Sequence, residues 1–464
     1  MGVRLAFAGG MLCLSLLPKL SAQTHPAPAA FLPYAQARAV FEALDEPVPA
    51  PAAWREWIAT ADRATRARVA QGDETSIVNL LLFGTSFTKE PRITSRQLDE
   101  KQIHGAVSAR LADFDRALDT AVGRDLSRAR PTPGDDRLQF ARRTLGDAGQ
   151  RRARVLSMLE RTISEGETHA RLTRDAEALG DPSLEFAERS RLYRARGLST
   201  DTTVRTNFAV EEALRGLTPV LIRGSDPAHS AKGRVRRVAI IGPGLDFADK
   251  QEGYDFYPQQ TIQPFAIMDS LIRLGLASAD GVTVTTLDLS ARVNDHIEQA
   301  RRRARQQSPY IIHLPLDAGV PWTPALLTYW QQFGGTIGAE VAPLPVPPAV
   351  GPLKVRAIGV RPALVERIVP RDLNITAQHL ALADADRFDL IIATNVFVYY
   401  DRLQQGLAML SVASMLRPGG LLLSNNALVE LPSIGLTSIG YSRTLYSDRD
   451  EDGDLVIWYR MAAR

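Results

Sequence analysis

The hydrophobic period of the chain changes once, near residue 217, and the two sides of that change predict different architectures. Before it, AAWREWIATADRATRARVA, SRQLDEKQIHGAVSARLADFDRALDTAV and DDRLQFARRTLGDAGQRRARVLSMLERTISEGETHARL carry apolar residues three and four positions apart, the spacing of a helix with one buried face. Residues 52–216 therefore read as an α-helical domain, with PTPGDD and LGDPS as turns. SIVNLLLFG predicts a core helix ending near Gly84, and Thr85 and Ser86 beyond it are candidates to face a substrate. From Arg236 short apolar runs alternate with helical stretches, in the order VRRVAIIG, QTIQPFAIMDSLIRLG and VTVTTLDLS. That order is a βαβ unit and implies a parallel sheet. YIIHLPL, LKVRAIGV, FDLIIATNVFV and GLLLSNN predict further strands, and SRTLYSD and DLVIWYRM predict a C-terminal antiparallel hairpin at the sheet edge. The Pro-rich stretch from Val341 to Pro352 reads as an inserted loop.

The N-terminal residues follow neither pattern. Arg4, the apolar stretch Leu5 to Leu17 and the small-residue site Leu20-Ser21-Ala22 give residues 1–22 the form of a secretory signal peptide. The stretch is shorter than the roughly 20 apolar residues that span a bilayer, so no stable transmembrane span is expected. Export to the periplasm or the extracellular space follows, with a cytoplasmic location if the segment is not processed. Cys13 is the only cysteine, so its removal leaves no disulfide, thiolate nucleophile or cysteine metal site. Residues 23–51, rich in Ala and Pro, read as an extended tether around a short helical patch near Tyr34 to Leu44. Residues 217–233 read as a linker to an α/β domain at 234–464.

A chain of 464 residues, 45% of them hydrophobic, is long enough for two cores. Its 55 basic and 52 acidic residues leave a net charge of +3, too small a surplus to imply nucleic acid as a partner. His104 and His169 are isolated, and His313 and His379 have no third ligand in a metal-binding spacing, so no metal is expected.

In VAIIGPGLDFADK, Gly242, Pro243 and Gly244 follow an apolar strand, where missing Cβ atoms let a ligand approach the backbone. A dinucleotide fingerprint requires a further glycine at Phe247, which weighs against the alternative of a nucleotide-dependent oxidoreductase. Residues 388–426, FDLIIATNVFVYYDRLQQGLAMLSVASMLRPGGLLLSNN, contain an Asp-Leu-Ile opening and a Leu-Arg-Pro-Gly-Gly turn. At this separation they resemble the fourth strand, following helix and fifth strand of class I S-adenosylmethionine-dependent methyltransferases. Asn395, Val396, Tyr399, Asp401 and the turn at Pro418, Gly419 and Gly420 are most similar to the chemotaxis-receptor glutamate methyltransferases.

The resemblance implies a Rossmann-like domain, mostly parallel with a C-terminal antiparallel hairpin, behind the helical domain. It also implies S-adenosyl-L-methionine as cofactor and an unidentified methyl acceptor, small molecule or protein. The cofactor-binding candidates are then Gly242, Pro243, Gly244, Asp246, Asp288, Asp372, Leu373 and Asn395. Asp288, ending the second strand, matches the acid that accepts both ribose hydroxyls. Asp372 in VPRDLNI matches an acid that reaches the adenine amino group, or caps a helix. Asn395 meets the methionine moiety, positions substrate, or only turns the chain. Asn395, Tyr399 and Tyr400 are the catalytic candidates, with Asp401 and Tyr254 as further proton acceptors. GLDFADKQEGYDFYPQQ, between the glycine turn and the next helix, is a candidate lid. Because S-adenosylmethionine is a cytosolic metabolite, an export signal also admits a non-catalytic binding or interaction protein on the same fold.

Overall fold

The computed structural model describes residues 27–93, 103–120, 135–147, 149–161, 204–223, 235–246, 254–317, 319–351, 353–450 and 452–463, together with Ser164 and Leu198. The expected signal peptide lies outside them. Strand β1 (Ala29–Phe31) and helices α1 (Tyr34–Ala43), α2 (Trp54–Phe83), α3 (Ile103–Thr120), α4 (Asp135–Leu145), α5 (149–161) and α6 (Val204–Arg223) come first. The α/β part follows with β2 (Arg237–Ile241), α7 (Gln263–Arg273), β3 (Thr283–Asp288), α8 (Ala291–Arg305), β4 (Tyr310–Asp317), α9 (Pro324–Gln332), β5 (Gly338–Val341) and β6 (Leu353–Val360). It ends with β7 (Ile368–Asp372), β8 (Gln378–Leu380), β9 (Phe388–Ala393), α10 (Arg402–Met415), β10 (Leu416–Ser424), β11 (Leu436–Leu445) and β12 (Gly453–Met461).

Seven strands form the main sheet in the order β11-β12-β10-β9-β2-β3-β7. Counted along the chain within this sheet, the order is 3-2-1-4-5-7-6. Strands 3-2-1-4-5 follow the Rossmann order, and β12 inserts antiparallel between β10 and β11. The central strands are apolar throughout because both faces are covered. Val238 and Ile240 of β2 enter the core shared with α6, α7 and α8, whereas Ala239 and Ile241 enter the core shared with α1, the start of α2 and α10.

Two of the expected strands leave this sheet. YIIHLPL and LKVRAIGV are β4 and β6, which pair antiparallel with each other from Tyr310↔Val360 to Asp317↔Leu353 and, with β5, make a separate three-stranded sheet. The Pro-rich stretch after Val341 joins β5 to β6. The true third strand is β7, five residues containing Pro370. A strand with a proline is tolerated at a sheet edge, where that residue's missing amide is not needed, and this composition hides it from a pattern search.

The expected boundaries shift as well. The tether is packed structure from Ala29 onward: β1 pairs with β8, and Leu32, Ala37, Val40 and Phe41 are buried against the main sheet's core. α6 continues through the boundary expected at residue 216, and its Phe208, Val210, Leu214 and Leu217 belong to the sheet's core. The separate helical core is smaller, formed by the second half of α2 with α3, α4 and α5. α2 is one unbroken helix of 30 residues, about 45 Å long. Its first turns lie in the α/β core and its last in the helical core. Its middle crosses the carboxyl ends of the strands. Among the described residues, no helix is long and apolar enough to cross a membrane.

Candidate functional site

In an open α/β sheet the ligand crevice lies beyond the carboxyl ends of the strands, where the order reverses. Here that point lies between β2 and β9, and a cavity opens there. Its floor is Ile241, Gly242 and Gly244 after β2, Leu287 and Asp288 at the end of β3, Leu373 after β7, and Thr394 and Asn395 after β9. Gly242 and Gly244 have φ of +65° and +71°, a left-handed conformation that glycine adopts without steric cost. A Cβ on Gly242 would lie 2.8 Å from Val396 Cγ2, so the glycine turn and the turn after β9 are in direct contact.

Asp288 is only 8% exposed. Its Oδ1 accepts from the Ser290 amide at 2.7 Å. Burial pushes its carboxyl up to about 7, although backbone hydrogen bonds from Ser290 and Gly244 and the nearby Arg292 favour the ion. A buried carboxyl in that position has lone pairs to offer and a reason to take hydrogen-bond donors from a ligand. Tyr400, also lining the cavity, is buried, and its phenol is pushed well above the ordinary tyrosine range. Tyr399 lines the wall and accepts from the Arg68 guanidinium through its carbonyl at 2.8 Å.

Asn395 has φ of +57°, a conformation that asparagine tolerates better than most residues. Its amide donates to Asn425 Oδ1 at 2.7 Å, and Asn425 Nδ2 donates back to Asn395 Oδ1 at 2.7 Å. Beside it, Gln263 at the start of α7 donates to Thr394 Oγ1 at 2.8 Å.

The remaining candidates lie elsewhere. Asp246 accepts from the Tyr257 hydroxyl at 2.8 Å and from Gln260 at 3.1 Å, so it braces its own loop. Asp372 neither lines the cavity nor caps a helix; it pairs with Arg66 of α2 at 2.6 Å. Asp401 caps α10 in a reciprocal box with Gln404. Tyr254 sits in an aromatic cluster with Phe256 and Tyr257. Pro243 lies within the glycine turn but is not part of the cavity wall. Thr85 and Ser86 grip the buried Asp255 carboxylate through amides and hydroxyls. Of the candidate lid, residues 254–260 are packed: fully buried Arg137 donates to the carbonyls of Asp255, Tyr257 and Asp246, tying the segment to α4. Residues 247–253 lie outside the described residues.

The pattern of the sequence did not reveal the roof of the cavity. Val69 of α2, Leu198 and Thr206 of α6 close it from above, and the Leu198 amide donates to the Arg68 carbonyl. Val69 and Thr206 look like ordinary helix positions, so only tertiary packing selects them. Gln263 and Thr394 had a visible signal: a polar residue opening a helix and another just after an apolar strand.

No family model matches the chain, and no curated protein matches it. Solved structures do. The N-methyltransferase NodS from Bradyrhizobium japonicum WM9 is 15% identical, covers 55% of this chain and 97% of its own, and gives a TM-score of 0.24. Magnesium protoporphyrin IX methyltransferase ChlM from Synechocystis PCC 6803, with bound SAM, is 12% identical over 56% of this chain and 86% of its own, with a TM-score of 0.25. The glycopeptide N-methyltransferase MtfA is 13% identical over 55% of this chain and 96% of its own, with a TM-score of 0.25. The α/β part itself has a Rossmann strand order with β12 antiparallel between β10 and β11.

Proposed function

We propose that the cavity binds S-adenosyl-L-methionine and that the chain transfers its methyl group, by in-line displacement, to an acceptor still to be identified. The carrying observation is Asp288, a buried carboxyl at the end of β3, pushed up to about 7 and lining, with the glycine turn, the cavity that opens where strand order reverses. Two ribose hydroxyls donating to it supply the stabilisation of the ion that burial withholds. Gly242 and Gly244 leave room for the ligand against the backbone. When bound, the cofactor supplies an electrophilic methyl group on a sulfonium. The chain's contribution is alignment and exclusion of water, for which Val69 and Leu198 provide an apolar roof.

Calorimetric titration with S-adenosylmethionine tests this. The parent is expected to bind, and Asp288→Ala and Gly244→Val to abolish binding. A parent that does not bind rejects the reading; binding that survives both substitutions rejects the site. A second reading, ligand binding without turnover, is favoured by the state of Tyr400, whose raised phenol is a hydrogen-bond donor and no base at neutral pH. Release of S-adenosylhomocysteine in the presence of amines, alcohols or carboxylates separates the two. Export directed by residues 1–22 belongs to the same proposal. A phosphatase active only outside the cytosol, fused after Ala30, tests it.

A further inference from the structure

The hydrogen bonds around Asn395 have a direction that can be deduced. A backbone amide can only donate, so the atom of Asn425 facing the Asn395 amide is its oxygen. The nitrogen end of Asn425 therefore lies on the other side, where it meets the Asn395 side chain at 2.7 Å and Asp454 Oδ1 at 3.4 Å. A carboxylate oxygen on that side is an acceptor, which agrees with that orientation. The second oxygen of Asp454 is held by the Tyr446 hydroxyl at 2.5 Å. Burial and the neighbouring carboxylate raise the Tyr446 phenol, so it stays a donor. The Arg205 guanidinium lies over the Tyr446 ring and pairs with Asp452 at 3.0 Å, which steadies the start of β12. The atom of Asn395 that faces Asn425 must consequently be its oxygen. Its Nδ2, with two hydrogens, takes no part in that pair, and Asn395 is a residue of the cavity wall.

We propose that Asn425 and Asp454 are positioning residues that hold Asn395 with its donor end toward the ligand, and that this end binds the amino-acid carboxylate of the cofactor. The cavity is then polar in a defined sense: Asp288 accepts at the end of β3 and Asn395 donates at the end of β9. A ligand that fits has hydroxyl donors at one end and a carboxylate at the other. This inference rests on the S-adenosylmethionine reading and adds the polarity of the Asn395 contact and the two residues that set it.

The test compares S-adenosylhomocysteine with methylthioadenosine, which keeps the nucleoside and lacks the amino-acid end, by calorimetry on the full chain. The parent is expected to prefer S-adenosylhomocysteine by at least about tenfold, the size of a hydrogen bond to a charged group. Asn395→Asp, nearly isosteric but without the donor, is expected to erase that preference while methylthioadenosine affinity changes by less than about threefold. Asn425→Ala lowers the preference part of the way. Asp454→Ala lowers it less, and Asp454→Asn, which keeps an accepting oxygen, restores it. A merely structural role would weaken both ligands together.

A parent that prefers S-adenosylhomocysteine and keeps that preference in Asn395→Asp overturns this inference and leaves the cofactor reading intact. So does a parent that binds both ligands equally. A parent that binds neither removes both conclusions. Should the variants fail to fold, side-chain amide NMR of the parent decides: S-adenosylhomocysteine should shift the Asn395 resonances and methylthioadenosine should not. Resonances unmoved by S-adenosylhomocysteine overturn the proposal.

Discussion

Asp288 and Asp372 are direct partners in register on the adjacent parallel strands β3 and β7, yet they have opposite fates. Asp288 is buried at the cavity, with its carboxyl pushed up to about 7. The side chain of Asp372 is 62% exposed and paired with Arg66. The same guanidinium is bonded to Asp62 and Gln378, and Asp62 accepts from Asn374 in the turn after β7. The α2 helix thus engages one carboxylate and leaves the other at the cavity wall. A strand end supplies a position, and the element packed above it decides whether the residue there is available.

The largest expected break in this comparison is in binding. Asp288→Ala should weaken S-adenosylmethionine by about 100-fold or more, as expected for two hydrogen bonds to a charged acceptor. Asp372→Ala should change it by less than about threefold. Comparable losses in the two calorimetric titrations would show that α2 does not separate their roles. Next comes pH. If ribose hydroxyls donate to ionised Asp288, affinity should fall about tenfold per pH unit below about 7 and level off above it. A flat profile from pH about 5 to about 8 would exclude Asp288 as the acceptor.

The same raised value carries a stability cost. The unfolded chain releases this proton near pH 3.9 and the folded chain holds it to about 7, so the folded state binds more protons between those limits and stability falls as pH rises through them. Asp288→Asn should therefore raise the melting temperature at about pH 8 and leave it nearly unchanged at about pH 4. An equal gain at both would assign the effect to packing. The smallest effect belongs to Arg66→Ala. Its pair with Asp372 is largely exposed, so chemical denaturation should show a loss of about 1 kcal/mol, mostly from the less exposed Asp62 side.

Much of the α/β part was legible. Central strands buried on both faces have to be continuous apolar runs, so VAIIG, TLDLS, FDLIIA and GLLLS announced themselves, and the turn after β2 was visible as Gly242-Pro243-Gly244. The third strand was not, because IVPRD has too few apolar residues and carries Pro370. YIIHLPL and LKVRAIGV looked like strands and are strands, but pattern alone does not say which neighbour a strand pairs with. Of the site residues, the cavity joins Gly242, Gly244, Asp288, Leu373, Asn395, Tyr399 and Tyr400, while Asp246 and Asp372 are engaged by Tyr257 and Arg66.

Local chemistry settles where a chain runs straight, where it turns and which residues stand at strand ends, because hydrophobic period and glycine placement act over a few neighbouring positions. Which carboxylate stays open to a ligand, which way the Asn395 amide points and what covers the cavity depend on Arg66, Asn425, Asp454 and Val69. Those residues come from distant parts of the chain, and only packing brings them to the same strand ends.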